Sequence, residues 1–326
     1  MTAPYGDAPV PLSVLDLATI GPGGAVEALR TTAELAVEAE RWGYRRFWVG
    51  EHHGIPTLAS SAPTVLIAHL AARTASIRIG AGGVMLPNRT PLIVAEEFGT
   101  LEALHPGRID LGVGRAPGGE PATAAALRRN PTDFEHQLSE LIGFLDDAFS
   151  SDHPYATIRA IPGRVHPDRE AAPGLDSRPP IWILGTGEGG AGLAARLGLP
   201  FAFAHHLAPR RGAAALTAYR ERFEPSPALD RPYALVSVAT AAAETHREGL
   251  ALAKASGLEP PEVVCGDPDE VRGGLETLVG DLGADELMLL SHLPGPARLR
   301  SHRLVAGAFG LVAPTAAAAE AAVTPT

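Results

Sequence analysis

The sequence predicts a TIM (β/α)8 barrel with an insertion around residues 150–180. Three observations lead there. Short apolar runs alternate with longer stretches of helical period, which implies a parallel sheet with helical crossovers. Eight such runs can be counted, more than an open doubly wound sheet ordinarily uses. The length, 326 residues with 45% hydrophobic side chains, suits one barrel, whose ordinary size is roughly 250 residues before insertions.

The runs follow in order. Residues 12–17 (LSVLDL), 47–50 (FWVG), 77–80 (IRIG) and 109–113 (IDLGV) give the first four strands. Residues 181–184 (IWIL), 201–204 (FAFA), 233–238 (YALVSV) and 286–291 (ELMLLS) give the second four. Each is short, apolar and bounded by turn residues. Helical spacing marks 25–42, 62–74, 92–104, 134–149, 190–197, 210–223 and 268–279. A last helix starts near Pro296, whose fixed φ suits a helix entry. Residues 150–180, rich in Pro, His and Arg, show no period. They read as a long βα insertion, a lid or substrate-facing loop in which His153, Tyr155, Arg159 and His166 could line a pocket. The Ala/Thr/Pro tail, 314–326, is expected to be disordered, and a single domain to span 1–326.

Composition excludes several classes. A net charge of −10 argues against a nucleic-acid partner, because phosphate binding rests on a surplus of Lys and Arg. Lys254, the sole lysine, sits in a helical stretch, which argues against Schiff-base chemistry. A single cysteine, Cys265, excludes an intrachain disulfide and a cysteine-rich metal cluster. Neither a signal peptide nor a membrane span is legible, so the expectation is a cytoplasmic protein without a membrane partner.

In a barrel, chemistry belongs to the C-terminal strand ends. The second strand ends in Glu51-His52-His53, either a loop histidine with its acid partner or a general base beside a ligand. Neighbouring residues on extended chain face opposite ways, so the two rings do not suit one metal ion, and no metal site is expected. The third strand runs into Gly82-Gly83, a flexible turn or a place where bare backbone approaches a flat ligand. Small residues flank Arg115 after the fourth strand; it can bind a phosphate or form a salt bridge at the rim. The fifth strand enters Gly185-Thr186-Gly187-Glu188-Gly189-Gly190 and then a helix, satisfying G-x-G-x-x-G. A nicotinamide site would want an acid after the next strand, where Ala204-His205-His206 stands, so the simpler use is a phosphate at the helix N-terminus.

Taken together, the stretches Leu12–Asp16, Phe47–His53, Val84–Asn88, Pro106–Arg115 and Gly198–Ala204 resemble the bacterial luciferase-like flavin monooxygenases, over almost the whole chain. Within them the chain is similar to the single-chain, luciferase α-subunit-like group, including polyketide-tailoring members of actinomycetes. The resemblance implies a barrel that binds reduced FMN at its mouth. It also implies transfer of one oxygen atom from O2 to a small organic substrate, such as an aromatic polyketide or other secondary metabolite, through a flavin C4a-hydroperoxide. It places His52 as the catalytic residue beside the ring. It places Gly82 and Gly83 on a strand-three bulge, often a non-prolyl cis peptide, against the flavin. Arg115 falls on the phosphate arginine, Thr186, Gly187 and Gly190 on the phosphate loop, and Ala204 and His205 beside the ring. Gly114 stands where luciferase has a cysteine, so light emission is not implied. A separate flavin reductase and a homodimer through the helices after strands two and three follow from the same resemblance. Two alternatives stay open: F420-dependent hydride transfer on the same fold, and a flavin-binding protein without turnover.

Overall fold

The structure, a computed structural model, describes residues 6–130, 133–164, 175 and 177–312. Nine strands alternate with ten helices among these residues. The strands are β1 (Leu12–Asp16), β2 (Arg46–Val49), β3 (Arg78–Met85), β4 (Ile109–Gly114), β5 (Ile181–Gly185), β6 (Phe201–Ala204), β7 (Ala234–Ala242), β8 (Val263–Gly266) and β9 (Glu286–Leu290). The helices are α1 (Gly24–Trp42), α2 (Pro63–Ala71), α3 (Pro91–Leu104), α4 (Pro121–Ala126), α5 (Phe134–Asp146), α6 (Glu188–Arg196), α7 (Gly212–Glu221), α8 (His246–Ala255), α9 (Pro268–Leu282) and α10 (Gly295–Ala308). Strands β1 to β7 pair in sequence order, and β9 fits between β7 and β1, all parallel. These eight close a TIM barrel.

Period-two alternation sorts the strand residues into two apolar layers. Val14, Phe47, Ile79, Phe201, Phe203 and Leu289 face outward onto the helices. Leu15, Trp48, Trp182, Leu235, Met288 and Leu290 fill the interior. Trp48 and Trp182 meet edge to face at 5.3 Å across the interior, which leaves no room for side chains on the glycines beside them. A Cβ on Gly80 would stand 2.8 Å from Trp48 Nε1, and one on Gly82 would stand 2.9 Å from Trp48 Cε3 and Leu15 Cδ1. Both glycines are therefore demanded by packing.

Beneath the tryptophans the interior is ionic. Arg46 on β2 lies 2.7 Å from Asp110 on β4 and 2.7 Å from Glu286 on β9. Arg78 forms a further 2.7 Å pair with Asp110, and Trp48 Nε1–H donates to the same carboxylate at 2.9 Å. The Tyr233 hydroxyl donates to Glu286 at 2.9 Å, and Ser13 donates to it as well. The Arg46 guanidinium stacks 4.8 Å from the Trp182 ring. With every charge opposed, this network closes the barrel below and confines any ligand to the other end.

A second buried polar site lies behind β1. Arg298 of α10 reaches Asp16 at 3.2 Å, while the His302 ring, edge-on to Tyr44, has neither nitrogen hydrogen-bonded among the described residues. Burial pushes His302 down to about 3 from its ordinary 6.5, and Arg298 adds to the shift. A lowered folded-state pKa gives stability that is complete above the unfolded value and is lost as the pH falls from there toward the folded one. Between pH 8 and 5 this single ring should account for about 2 kcal/mol of lost stability. Urea midpoints of the wild type and His302→Phe across that range check this, with a flatter profile expected for the variant.

Two expectations require correction. The described residues of 150–180 follow α5 and precede β5, and α5 completes the crossover after β4, so the insertion belongs to an αβ connection and not to a βα loop over the mouth. The chain therefore leaves the far end of α5 and enters β5 from the opposite face. There His153 stacks on Phe149 at 4.3 Å, Tyr155 stacks on Phe144 at 5.6 Å and Arg159 lies 3.9 Å from Asp147. His166 and the tail 314–326 lie outside the described residues. The second correction is the extra strand. β8 pairs with the outer half of β7, at Ala239–Ala242, starting at Ala239 where the pairing with β9 ends. Together with α8 it forms an excursion between β7 and α9 with a small core of its own.

Candidate active site

The loops after the barrel strands build the mouth. At the end of β2, alternation gives three neighbouring residues different tasks. Glu51 is buried; its carboxylate accepts the Met85 amide at 3.1 Å and pairs with His53 Nε2 at 2.9 Å. The His53 amide donates to the Gly118 carbonyl at 2.7 Å, so both residues tie β2 to the loops after β3 and β4. The loop-histidine reading therefore holds for His53. His52 turns the other way, its amide donating to Ser60 at 2.9 Å and its ring resting on Gly50. His52 Nδ1 is buried with no hydrogen-bond partner among the described residues. Burial lowers the pKa of the imidazole, and His53 and His292 lower it further, so the ring is neutral at pH 7.

The bulge in β3 lies one strand away. Register with β4 shifts between Ala81 and Val84, and the Gly82–Gly83 peptide is cis. A Cβ on Gly83 would stand 2.8 Å from the Gly112 carbonyl and 3.0 Å from Leu184. The bulge thus presents bare backbone where any other residue would collide.

After β4, Arg115 is exposed at the rim. Its carbonyl accepts from Arg129 at 2.7 Å, and its guanidinium has no ion pair among the described residues. The turn after β5 divides the glycines of the G-x-G-x-x-G run. Gly185 and Gly190 pack on each other, each close enough that a Cβ would lie 3.2–3.3 Å from the other's Cα. Gly190 therefore serves strand-to-helix contact. Gly187 is the N-cap of α6 without a side-chain cap, so the first amides of the helix are open to a ligand, beside the exposed Thr186. Arg211, in the turn after β6, lies against this corner: its Cδ and Nη1 are 3.8 and 4.0 Å from where a Gly187 Cβ would stand. Sequence reading missed Arg211, which sits at the start of a stretch assigned whole to a helix.

At the end of β6, Ala204 is half-buried opposite Ser237 of β7. His205 points away from the mouth. Its ring packs against Phe203 at 6.3 Å and faces Gly212 of α7 on the outer layer. The ring placed over the mouth belongs to His206, whose Nδ1 lies 2.9 Å from Ser237 Oγ and whose amide donates to the Ser237 carbonyl at 3.1 Å. The turn formed by His205 N–H donating to the Phe203 carbonyl breaks strand parity and transfers the inward position by one residue. His292, two residues past β9, completes the set. His292 hinders protonation of both His52 and His206, and His52 hinders that of His206. No group of three His, Cys, Asp or Glu among the described residues is placed to hold a metal ion. Nor is any described helix long and apolar enough to cross a membrane.

Comparison with known proteins identifies the family. The family model for luciferase-like monooxygenases matches residues 10–261. A luciferase-like monooxygenase of Escherichia coli (strain K12) is 38% identical over 338 residues, covering 91% of this chain and 96% of the relative. The N-acetyl-S-alkylcysteine monooxygenase of Bacillus subtilis (strain 168) is 44% identical over 201 residues, 60% of this chain and 57% of that one. The crystal structure of apo-MsnO8 superposes with a TM-score of 0.81 at 36% identity, covering 93% of this chain and 98% of that one. By sequence along most of its length and by its closed barrel, the chain belongs to the luciferase-like monooxygenases, a family of oxidoreductases.

Proposed function

We propose that the protein is a monooxygenase that uses reduced FMN, delivered by a separate reductase, to place one oxygen atom of O2 into a small organic substrate. The observation that carries this reading is His52, turned into the mouth with a buried, unpartnered Nδ1 one strand from the bare Gly82–Gly83 backbone. The residues present fit FMN. A flat ring needs backbone without side chains beside it, which the bulge supplies, and a phosphate needs open amides and cations. Thr186, the Gly187 corner with the first amides of α6, Arg115 and Arg211 would hold that phosphate.

Reduced flavin, when bound, supplies the electrons that activate O2. The chain supplies the surroundings. Leu17, Trp182, Leu184 and Leu290 keep water from the interior below the mouth. His52, neutral at pH 7, can accept or return a proton at Nδ1 during oxygen transfer. Gly82 and Gly83 let the backbone approach the ring, and Ala204 leaves space opposite. The substrate reading extends to thioether-bearing amino-acid derivatives, after the substrate in the name of the Bacillus subtilis relative. A homodimer through α2 and α3 belongs to the same proposal and is supported by Val65 and Ile93, which are 71% and 48% exposed. A cytoplasmic location fits a reductase-supplied cofactor.

Oxygen uptake with FMN, a generic flavin reductase and a thioether panel tests the reaction. Substrate-dependent uptake with one labelled oxygen atom in the product is expected. Turnover with reduced F420 alone, or tight FMN binding with neither activity, would replace the proposal by hydride transfer or by a binding protein. The phosphate corner has its own test. Arg115→Ala and Arg211→Ala should each weaken FMN by about tenfold or more while leaving riboflavin within a few-fold, since riboflavin lacks the phosphate. Equal weakening of both ligands would remove the arginine from the phosphate site.

A further inference from the structure

Ser237 faces the barrel interior on β7, next to the end of β6. Its hydroxyl oxygen is 2.9 Å from His206 Nδ1 and 3.3 Å from the Phe203 carbonyl oxygen. A carbonyl can only accept, so the one arrangement that makes both contacts hydrogen bonds gives the hydroxyl proton to Phe203 and has the Ser237 oxygen accept from His206 Nδ1–H. That arrangement puts the ring proton on Nδ1. His206 Nε2 then carries a lone pair, and it has no hydrogen-bond partner among the described residues. The second bond, from the His206 amide to the Ser237 carbonyl at 3.1 Å, holds the ring over the mouth.

We propose that His206 is a substrate-recognising residue whose Nε2 lone pair selects ligands that present a hydroxyl or N–H donor to the mouth. The inference rests on the mouth being the active site. The charged and titratable groups acting on this ring are His292, His205 and His52, all imidazoles, with no carboxylate among them. Burial holds His206 down at about 4, the Ser237 backbone bond opposes this, and the three imidazoles reinforce it. The ring therefore stays a neutral acceptor through the physiological range. A ligand without a donor leaves a half-buried acceptor unpaired, which is the condition under which sites discriminate strongly between near-isosteres.

Phenol and anisole, the same ring with and without a donor, are the probes, titrated into the FMN-loaded protein. The wild type should bind phenol about tenfold or more tighter than anisole. His206→Phe should reduce the ratio to within about twofold, and Ser237→Ala, which frees the tautomer, should narrow it. Long-range 15N spectra of histidine-labelled wild type should show His206 as the Nδ1–H tautomer from pH 8 to 5.5. An Nε2–H tautomer in the wild type overturns the inference, as does a ratio near one in the wild type or one unchanged in His206→Phe. Should His206→Phe not fold, the wild-type spectrum and Ser237→Ala decide. FMN binding is measured beside each titration. Retained FMN with an unchanged phenol ratio overturns this inference alone, whereas a wild type unable to bind FMN overturns the reading of the mouth.

Discussion

Arg46→Met is expected to destabilise the barrel by about 3–5 kcal/mol, a large share of the 5–15 kcal/mol available to an ordinary domain. The reason is what remains. Asp110 and Glu286, both fully buried, would lose the cation lying 2.7 Å from each, and Asp110 would keep only Arg78. Removing one partner of a buried pair exposes the full desolvation cost of the other, although the intact network adds little net stability over an apolar core. The urea midpoint should fall sharply with the slope unchanged. Acid acts on the same network. Burial opposes ionisation of Asp110, but Arg78 and Arg46 outweigh it and hold the carboxyl at about 2, below its ordinary 3.8. The stability this contributes is complete above 3.8 and is lost as the pH falls toward 2. Asp110→Asn should flatten the profile in that window while lowering stability above it. An unfolding free energy of Arg46→Met within about 1 kcal/mol of wild type would refute the assignment.

His52→Ala should lower substrate oxygenation by roughly 10² or more while leaving binding of reduced FMN within a few-fold. The ring contributes no hydrogen bond to the fold among the described residues; the bond to Ser60 is made by the backbone amide of His52. Deleting it therefore should not disturb the loop, which is held by Glu51, His53 and Gly118. Glu51→Gln is the contrasting variant, because it loosens the link to Met85 and His53 and should affect stability as well as turnover. Stopped-flow and steady-state rates at matched occupancy separate the two effects. Unchanged turnover in His52→Ala would remove that residue from the chemistry.

The barrel was legible because its signal is periodic. Alternating runs such as FAFA and ELMLL state their inward and outward faces directly, and these became the two layers of the core. β8 was not legible: VVCG is four residues long and finds its partner only on the overhang of β7. The position of 150–180 could have been deduced from the helix at 134–149, since a helix after β4 already uses the crossover. Its Pro, His and Arg content suits a loop at either end of the barrel, so composition alone does not place it. At the site, Glu51-His52-His53 could be resolved by alternation, but the one-residue parity change at His205 comes from a backbone turn that no side-chain pattern encodes. His292 and Arg211 needed three dimensions, because each joins the mouth from a strand distant in sequence.

The central claim is that the mouth takes reduced FMN, and anaerobic titration tests it directly. Reduced FMN and reduced F420 are titrated separately into the wild type, with Arg115→Ala and Arg211→Ala in parallel. The account predicts saturable binding of reduced FMN, tighter than F420, and weakened in both arginine variants. Binding of F420 with no binding of FMN would contradict it.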